Sequence, residues 1–260
     1  MRKLWGGRFE QEPDLAVERL NNSLPFDQAL WRQDIRASIA HAAMLGECAI
    51  VTAEEAAQLT QGLAAIQQGL ENGDLTLPPD AEDIHTAVEA LLADRLGAVA
   101  GKLHTARSRN DQVCADLRLY LRDECDVIRE ELILLERAIL DLAKRETETI
   151  MPGYTHLQHA QPITLAHHAM AYFWMLDRDR ERLSDARRRI NRSPLGAGAL
   201  AGTGFAIDRR QTAAALGFES VLENSIDAVS DRDFAVEFLS FASTLMMHLS
   251  RFAEDIVLWN

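Results

Sequence analysis

The sequence predicts an all-α protein in which short N-terminal helices give way to a bundle of long ones. Apolar residues recur at three- and four-residue spacing almost throughout, and sustained period-two alternation bounded by hairpin turns is absent. Three later segments also read as helices far longer than the usual globular helix of about 11 or 12 residues. Taken in order, Asp34 to Cys48 has the spacing of an amphipathic helix. Thr52 followed by Glu55 forms a capping box that opens a second helix, running to about Leu70. Asn72, Gly73, Pro78 and Pro79 make a loop, and a further helix from roughly Glu82 to Leu96 ends before Gly97 and Gly101. These short helices define an N-terminal domain, residues 1–102.

Residues 103–260 are predicted to form a central long-helix bundle domain. From Val113 to about Thr149 there is neither Gly nor Pro, and Val113, Leu117, Tyr120, Val127, Leu132, Leu135, Ile139 and Leu142 trace one apolar face. At 1.5 Å per residue this rod reaches on the order of 55 Å. After the break at Pro152 and Gly153, Pro162 stands as a first-turn proline for a helix through Ile190, stopped before Pro194. Ser230 is expected to cap a third, from about Asp231 onward. Ile256 to Trp259 are still in phase where the sequence stops, so the fold is expected to be incomplete at the C-terminus. Long helices with apolar stripes need neighbours, which predicts bundle packing and association with other copies.

Composition narrows the function classes. The 260 residues are 47% hydrophobic and 26% charged, as in an ordinary folded protein, and a net charge of -13 argues against nucleic acid or an anionic membrane as partner. The apolar stretch Phe238 to Leu249 is interrupted by Ser240, Ser243, Thr244 and His248 and is too short to cross a bilayer. Arg2 and Lys3 lead into Trp5, Gly6, Gly7 and Arg8 rather than an apolar run, so no secretory signal is visible. Cys48, Cys114 and Cys125 are an odd number without metal-type pairing, which fits a reducing, cytoplasmic setting.

Two polar islands carry the candidate chemistry. The first is His104 to Gln112, where Arg107, Ser108, Arg109 and Asn110 stand directly before the long helix. A helix start offers unpaired N–H groups and partial positive charge, so these side chains make a seat for a carboxylate or phosphate, or else an elaborate N-cap. The second is Gly153 to Pro162, with Tyr154, Thr155, His156, Gln158, His159 and Gln161 at a junction between long helices. His156 is a candidate acid or base because imidazole titrates near neutrality, and Thr155 could hold a substrate oxygen. His156 and His159 have metal-ligand spacing, but no carboxylate or cysteine lies close in sequence, which argues against zinc.

Other features have plainer readings. Asp80, Glu82, Asp83 and His85 stand at a helix start, where acids complement the dipole, so capping competes with a catalytic role there. The glycine-rich stretch Gly196 to Gly204 lacks the preceding strand and the spacing of a dinucleotide fingerprint and reads as a turn or packed loop. The charged run Asp177 to Arg192 reads as a solvated helical face.

Together, WGGRF at Trp5 to Phe9, NNSLPFD at Asn21 to Asp27, EDIHTAVE at Glu82 to Glu89, HTARSRNDQ at His104 to Gln112 and GYTHLQHAQP strongly resemble the argininosuccinate lyases of the fumarase and aspartase superfamily. SPLGAGALAGT at Ser193 to Thr203 and VSDRDF at Val229 to Phe234 fit the same family. The resemblance implies a fumarase/aspartase-like fold and reversible elimination of argininosuccinate to arginine and fumarate, in arginine synthesis, with no cofactor and no metal. It implies that Ser108, Arg109 and Asn110 cradle the substrate, with Ser23 and Thr155 also contacting it, and that His156 does acid–base work. Removing a proton beside a carboxylate builds negative charge there, and each well-aimed donor contributes roughly 3 to 4 kcal/mol to holding it. It further implies a homotetramer. The family's serine-containing mobile loop and C-terminal helical domain are expected beyond residue 260, so this chain alone is expected to show little or no turnover. Another fumarate-releasing lyase and a crystallin-like structural protein are the competing readings.

Asn110 precedes the long helix and Thr155 follows it, so its rise of some 50 Å keeps them from sharing one small substrate within a copy. Sites shared between subunits are therefore expected.

Overall fold

The computed structural model describes residues 14–259, so the WGGRF segment lies outside the described residues. Helices α1 (Leu15–Asn21) and α2 (Leu24–Asp27) are followed by a 3-10 turn and α3 (Trp31–Glu47). Helix α4 (Ala53–Asn72) opens on the expected capping box: Glu55 N donates to Thr52 Oγ1 at 3.2 Å, and Thr52 N donates to Glu55 Oε2 at 3.1 Å. It closes on Gly73, whose φ of 77° is the left-handed cap that a Cβ disfavours. Helix α5 (Ile84–Leu96) is capped by Asp83, which accepts from Thr86 N at 2.6 Å, so that acid does serve the helix start. A 3-10 stretch, Gly97–His104, leads to α6 (Arg109–Arg145), an unbroken helix of 37 residues.

Beyond α6 come strands β1 (Ile150–Thr155) and β2 (Gln158–Thr164), helix α7 (Leu165–Ile190), β3 (Arg192–Ser193), α8 (Arg209–Ala215), β4 (Ser220–Val221), α9 (Ser225–Ser230) and α10 (Asp233–Trp259). The all-α class holds, with two small exceptions: β1 pairs antiparallel with β2, and β3 pairs parallel with β4.

Packing divides the chain into two compact units, neither continuous in sequence. One comprises Met1–Tyr120 with Arg192–Asp231, the other Leu121–Asn191 with Arg232–Asn260. In the first unit, Ile35 and Ala42 of α3, Leu59, Leu63 and Ile66 of α4, and Ile84, Val88 and Leu92 of α5 build the main core, closed by Leu103. A second cluster sets Ala37 and Ala40 against Ala115 and Leu119 of α6, with Leu195, Leu216 and Phe218 completing it. In the second unit, rings of α7 and α10 meet: Tyr172 and Phe252 have centroids 4.8 Å apart, and Asp255 accepts from Tyr172 at 2.5 Å.

Several sequence expectations are corrected. The segment Gly153 to Pro162 is a β-hairpin rather than a helix junction, and Pro162 lies in β2 opposite Pro152 rather than in the first turn of a helix. Its alternation was invisible because the ribbon is exposed on both faces and needs no apolar stripe. Helix α7 instead starts at Leu165, capped by Thr164, which accepts from His167 N at 3.1 Å. Ser230 ends α9, its hydroxyl donating back to Ile226 O at 2.8 Å, and α10 starts at Asp233. The charged run of α7 is no simple solvated face. Asp179 is fully buried and meets His248 Nδ1 at 2.6 Å, and Arg187 grips Asp126 with two bonds of 2.7 Å. Arg180 reaches Glu136 at 3.1 Å. Carboxylates on neighbouring helices, unseen in a local window, draw these arginines inward.

Candidate active site

The first island is built around the start of α6. Gln112 N donates to Ser108 O at 3.2 Å, so Ser108 occupies the cap position, and Asp111 reaches back to accept from Ser108 N at 3.0 Å. Ser108 Oγ also accepts from Asn110 N at 3.3 Å, and this capped start lies four residues before the one that apolar periodicity alone predicts. The other Asp111 oxygen accepts from Gly196 N at 3.1 Å and Gly198 N at 2.9 Å, while Asn110 Nδ2 donates to Ala199 O at 3.0 Å. The glycine-rich stretch is thus a packed loop seated on the helix start. Burial pushes the Asp111 carboxyl up, and its amide donors draw it only part of the way back.

The arginines are placed differently from one another. Arg109 is half-buried; its Nη1 donates to Gln112 Oε1 at 2.7 Å and lies 3.4 Å from Glu89 Oε1, with Nε 3.6 Å from Asp83 Oδ2. Arg107 turns inward, donating to Ser38 Oγ at 2.9 Å, and is not presented to a ligand as the sequence suggested. Ala106, the residue before it, has a φ of 62°. Glu89 gathers His104 at 3.1 Å as well as both arginines. Burial raises its carboxyl, but the His104 bond and the two guanidinium charges outweigh that and hold it below the ordinary range. Glu89 therefore tempers the positive charge of this seat.

Ser23 joins the same unit through its neighbours. Its hydroxyl donates to Asp27 Oδ2 at 2.5 Å, and Asp27 Oδ1 accepts from Ile84 N at 3.1 Å, next to the Asp83 that faces Arg109. Ser23, Ser108, Arg109 and Asn110 thus belong to one compact unit, linked through the start of α5.

Thr155 and His156 belong to the second unit, at the hairpin tip. Thr155 pairs with Gln158, leaving His156 and Leu157 as the two turn residues, with φ of 54° and 59°. Positive φ at both central positions is the backbone of a tight hairpin turn that favours Asn and Gly, and holding L-residues there costs roughly 1–2 kcal/mol each. Strain of this kind collects at functional sites. Thr155, His156 and Leu157 are all exposed, while His159 is engaged by Tyr154 at 3.1 Å.

Sequence reading missed a buried polar cluster beneath the first island. Asp34, His85 and Asp116 are essentially inaccessible; His85 Nδ1 lies 2.8 Å from Asp34 Oδ1 and 3.3 Å from Asp116 Oδ2, and Gln112 Nε2 donates to Asp34 at 2.5 Å. Burial raises Asp34, but the adjoining His85 and the Arg107 charge overcome it and bring its carboxyl down to about 2. Asp116 moves the other way, raised by burial and by Asp34. His41, buried beside Arg107, is pushed down to about 3 and is neutral, its Nε2 donating to Thr105 O at 2.9 Å. The signal was present: Asp34, Ser38 and His41 recur at helical spacing on the inward stripe of α3. Among the described residues, Asp34, His85 and Asp116 are also the group whose ligand atoms could surround a metal ion. The Arg107 charge acts on both carboxylates and supplies compensation that a cation would otherwise give.

Geometry and comparison converge on a class. The chain belongs to the lyase family, whose model matches residues 7–260. It is 58% identical over 260 residues to the argininosuccinate lyase of Desulforudis audaxviator, spanning 100% of this chain and 57% of that protein. To the argininosuccinate lyase of Bacillus subtilis it is 54% identical over 259 residues, spanning 100% and 56%. A variant of EDDS lyase with bound fumarate superposes with a TM-score of 0.81 at 37% identity, covering 90% of this chain and 46% of that one. A fumarate lyase, delta crystallin from Brucella melitensis bound to cobalt, shares the fold with a TM-score of 0.77 at 20% identity, covering 96% and 58%. The chain spans a little over half the length of the curated relatives it matches.

Proposed function

We propose that the protein carries out the reversible elimination of argininosuccinate to arginine and fumarate, as a cytoplasmic homotetramer of arginine biosynthesis that needs neither metal nor organic cofactor. The observation that carries the reading is the hairpin tip, where the His156 imidazole is held exposed in a strained backbone next to Thr155. In this reading His156 moves a proton, and Ser108, Arg109 and Asn110 grip the carboxylate on which charge grows, with Ser23 and Thr155 holding the rest of the substrate. The identity to argininosuccinate lyases supports that substrate over others of the class.

The length of α6 supports sites shared between copies. At 1.5 Å per residue, its 37 residues rise about 55 Å. Exposed apolar side chains along α10, among them Val236, Leu239, Met246 and Val257, supply a face for association. The three cysteines, an odd number without metal-type pairing, accord with a cytoplasmic setting.

The test uses the complete natural chain. Arg109→Ala and His156→Ala variants are each expected to lose elimination by at least about 10²-fold, read as fumarate absorbance. Mixing them under verified subunit exchange should restore part of the activity. No recovery would refute shared sites, and no fumarate from the unmodified enzyme would refute the reaction.

A further inference from the structure

Asp111 is wholly buried, yet its two oxygens bond the first island to the glycine-rich loop. One oxygen holds the amide of Ser108 at 3.0 Å; the other holds two amides of the glycine-rich loop, Gly196 at 3.1 Å and Gly198 at 2.9 Å. The loop returns the contact through Ala199 O, which accepts from Asn110 Nδ2 at 3.0 Å. Inside the loop, Gly202 N donates to Ala197 O at 2.7 Å, and a Cβ on Gly198 would meet Gly202 O at 2.6 Å. Gly198 also has φ of 62°, so the tight fold of the loop depends on glycine at this position.

These contacts have a chemical consequence. A donor acts on developing charge only if its position is set before the reaction, and a displacement of about 1 Å can cost about 10²-fold in rate. Asn110 keeps one amide hydrogen and its oxygen for a ligand because the other hydrogen is committed to Ala199. A buried carboxylate beside an anion seat repels the anion, so its presence is not explained by ligand attraction. We propose that Asp111 is a positioning residue: it clamps the glycine-rich loop, residues 196–204, to the start of α6 and so fixes Ser108, Arg109 and Asn110 on the carboxylate of the reacting substrate. This rests on the elimination reaction proposed above.

The experiment compares Asp111→Asn, Asp111→Glu and Gly198→Ala with the unmodified enzyme in the complete natural chain. The readouts are kcat and KM for argininosuccinate, with circular dichroism to establish folding. Positioning predicts that kcat falls about 10²-fold while KM stays within about threefold, because the donors act most strongly in the transition state. Gly198→Ala should reproduce the loss without altering any side chain near the substrate. Removal of charge repulsion alone would instead lower KM and spare kcat, which overturns the proposal, as does a folded Asp111→Asn enzyme with kcat within about twofold of the unmodified one. If Asp111→Asn does not fold, the other two variants decide by the same criteria. Failure of the reaction itself is distinct, since the unmodified enzyme would then release no fumarate.

Discussion

Replacing Asp34 by Asn removes one negative charge from the buried cluster and changes almost nothing else in shape. In the folded protein the adjoining His85 and the Arg107 charge outweigh burial and bring the carboxyl down to about 2 from an ordinary 3.8, so the folded state prefers the charged form. At 1.36 kcal/mol per unit this is about 2 kcal/mol of stability. A carboxyl with a depressed folded value contributes fully above its unfolded value, near ~4, and loses the contribution as pH falls toward about 2. Asp34→Asn should therefore destabilise this unit by about 2 kcal/mol at pH 7, with the penalty shrinking below pH ~4. Asp116→Asn should do the opposite. Its folded value is raised by burial and by the Asp34 charge, so stability falls as pH rises through the window above ~4, and the amide removes that loss. At pH 7 the variant should be neutral or stabilising. Urea unfolding followed by Trp31, which packs on the core of this unit, reads both effects once Trp5, Trp174 and Trp259 are replaced by Phe. An Asp34→Asn penalty that is the same at pH 7 and pH 3, or an Asp116→Asn cost as large at pH 7, would refute this assignment of charges.

Two further outcomes test the scaffold. Arg118 is buried in α6 and pairs with Asp231, so Arg118→Ala should cost about 3–5 kcal/mol in urea unfolding, and Arg118→Lys should not restore it because an ammonium lacks the planar fork. Thr52→Ala removes one side of the capping box of α4 and should cost about 1 kcal/mol, seen as a lowered midpoint in the same measurement.

Local chemistry made some elements legible at once. The Thr52 and Glu55 box, the Gly73 stop and the unbroken run of the long rod are written in neighbouring residues, and each lies within a few positions of its predicted place, whereas the predicted apolar face holds only in part: Leu132 and Ile139 are buried, Val127 is exposed, and Asp116 and Arg118 are buried instead. The hairpin was not legible, because its turn is His-Leu rather than a glycine-bearing pair and its strands bury little on either face. The motifs carrying the family resemblance named Ser23, Ser108, Arg109, Asn110, Thr155 and His156. They could not tell that Arg107 points inward, because only the folded chain brings Ser38 beside it, 69 positions away.

Helix content, the unbroken run of α6 and the choice of polar islands follow from residue type and short spacing, since helix periodicity, capping and glycine or proline punctuation act within one or two turns. Tertiary structure alone decided that Asp111 joins the start of α6 to a loop 85 residues away, and that Asp34, His85 and Asp116 share one buried space. Charges in contact shift and orient one another only once the chain has removed the water between them, and that desolvation belongs to the assembled fold rather than to any stretch of sequence.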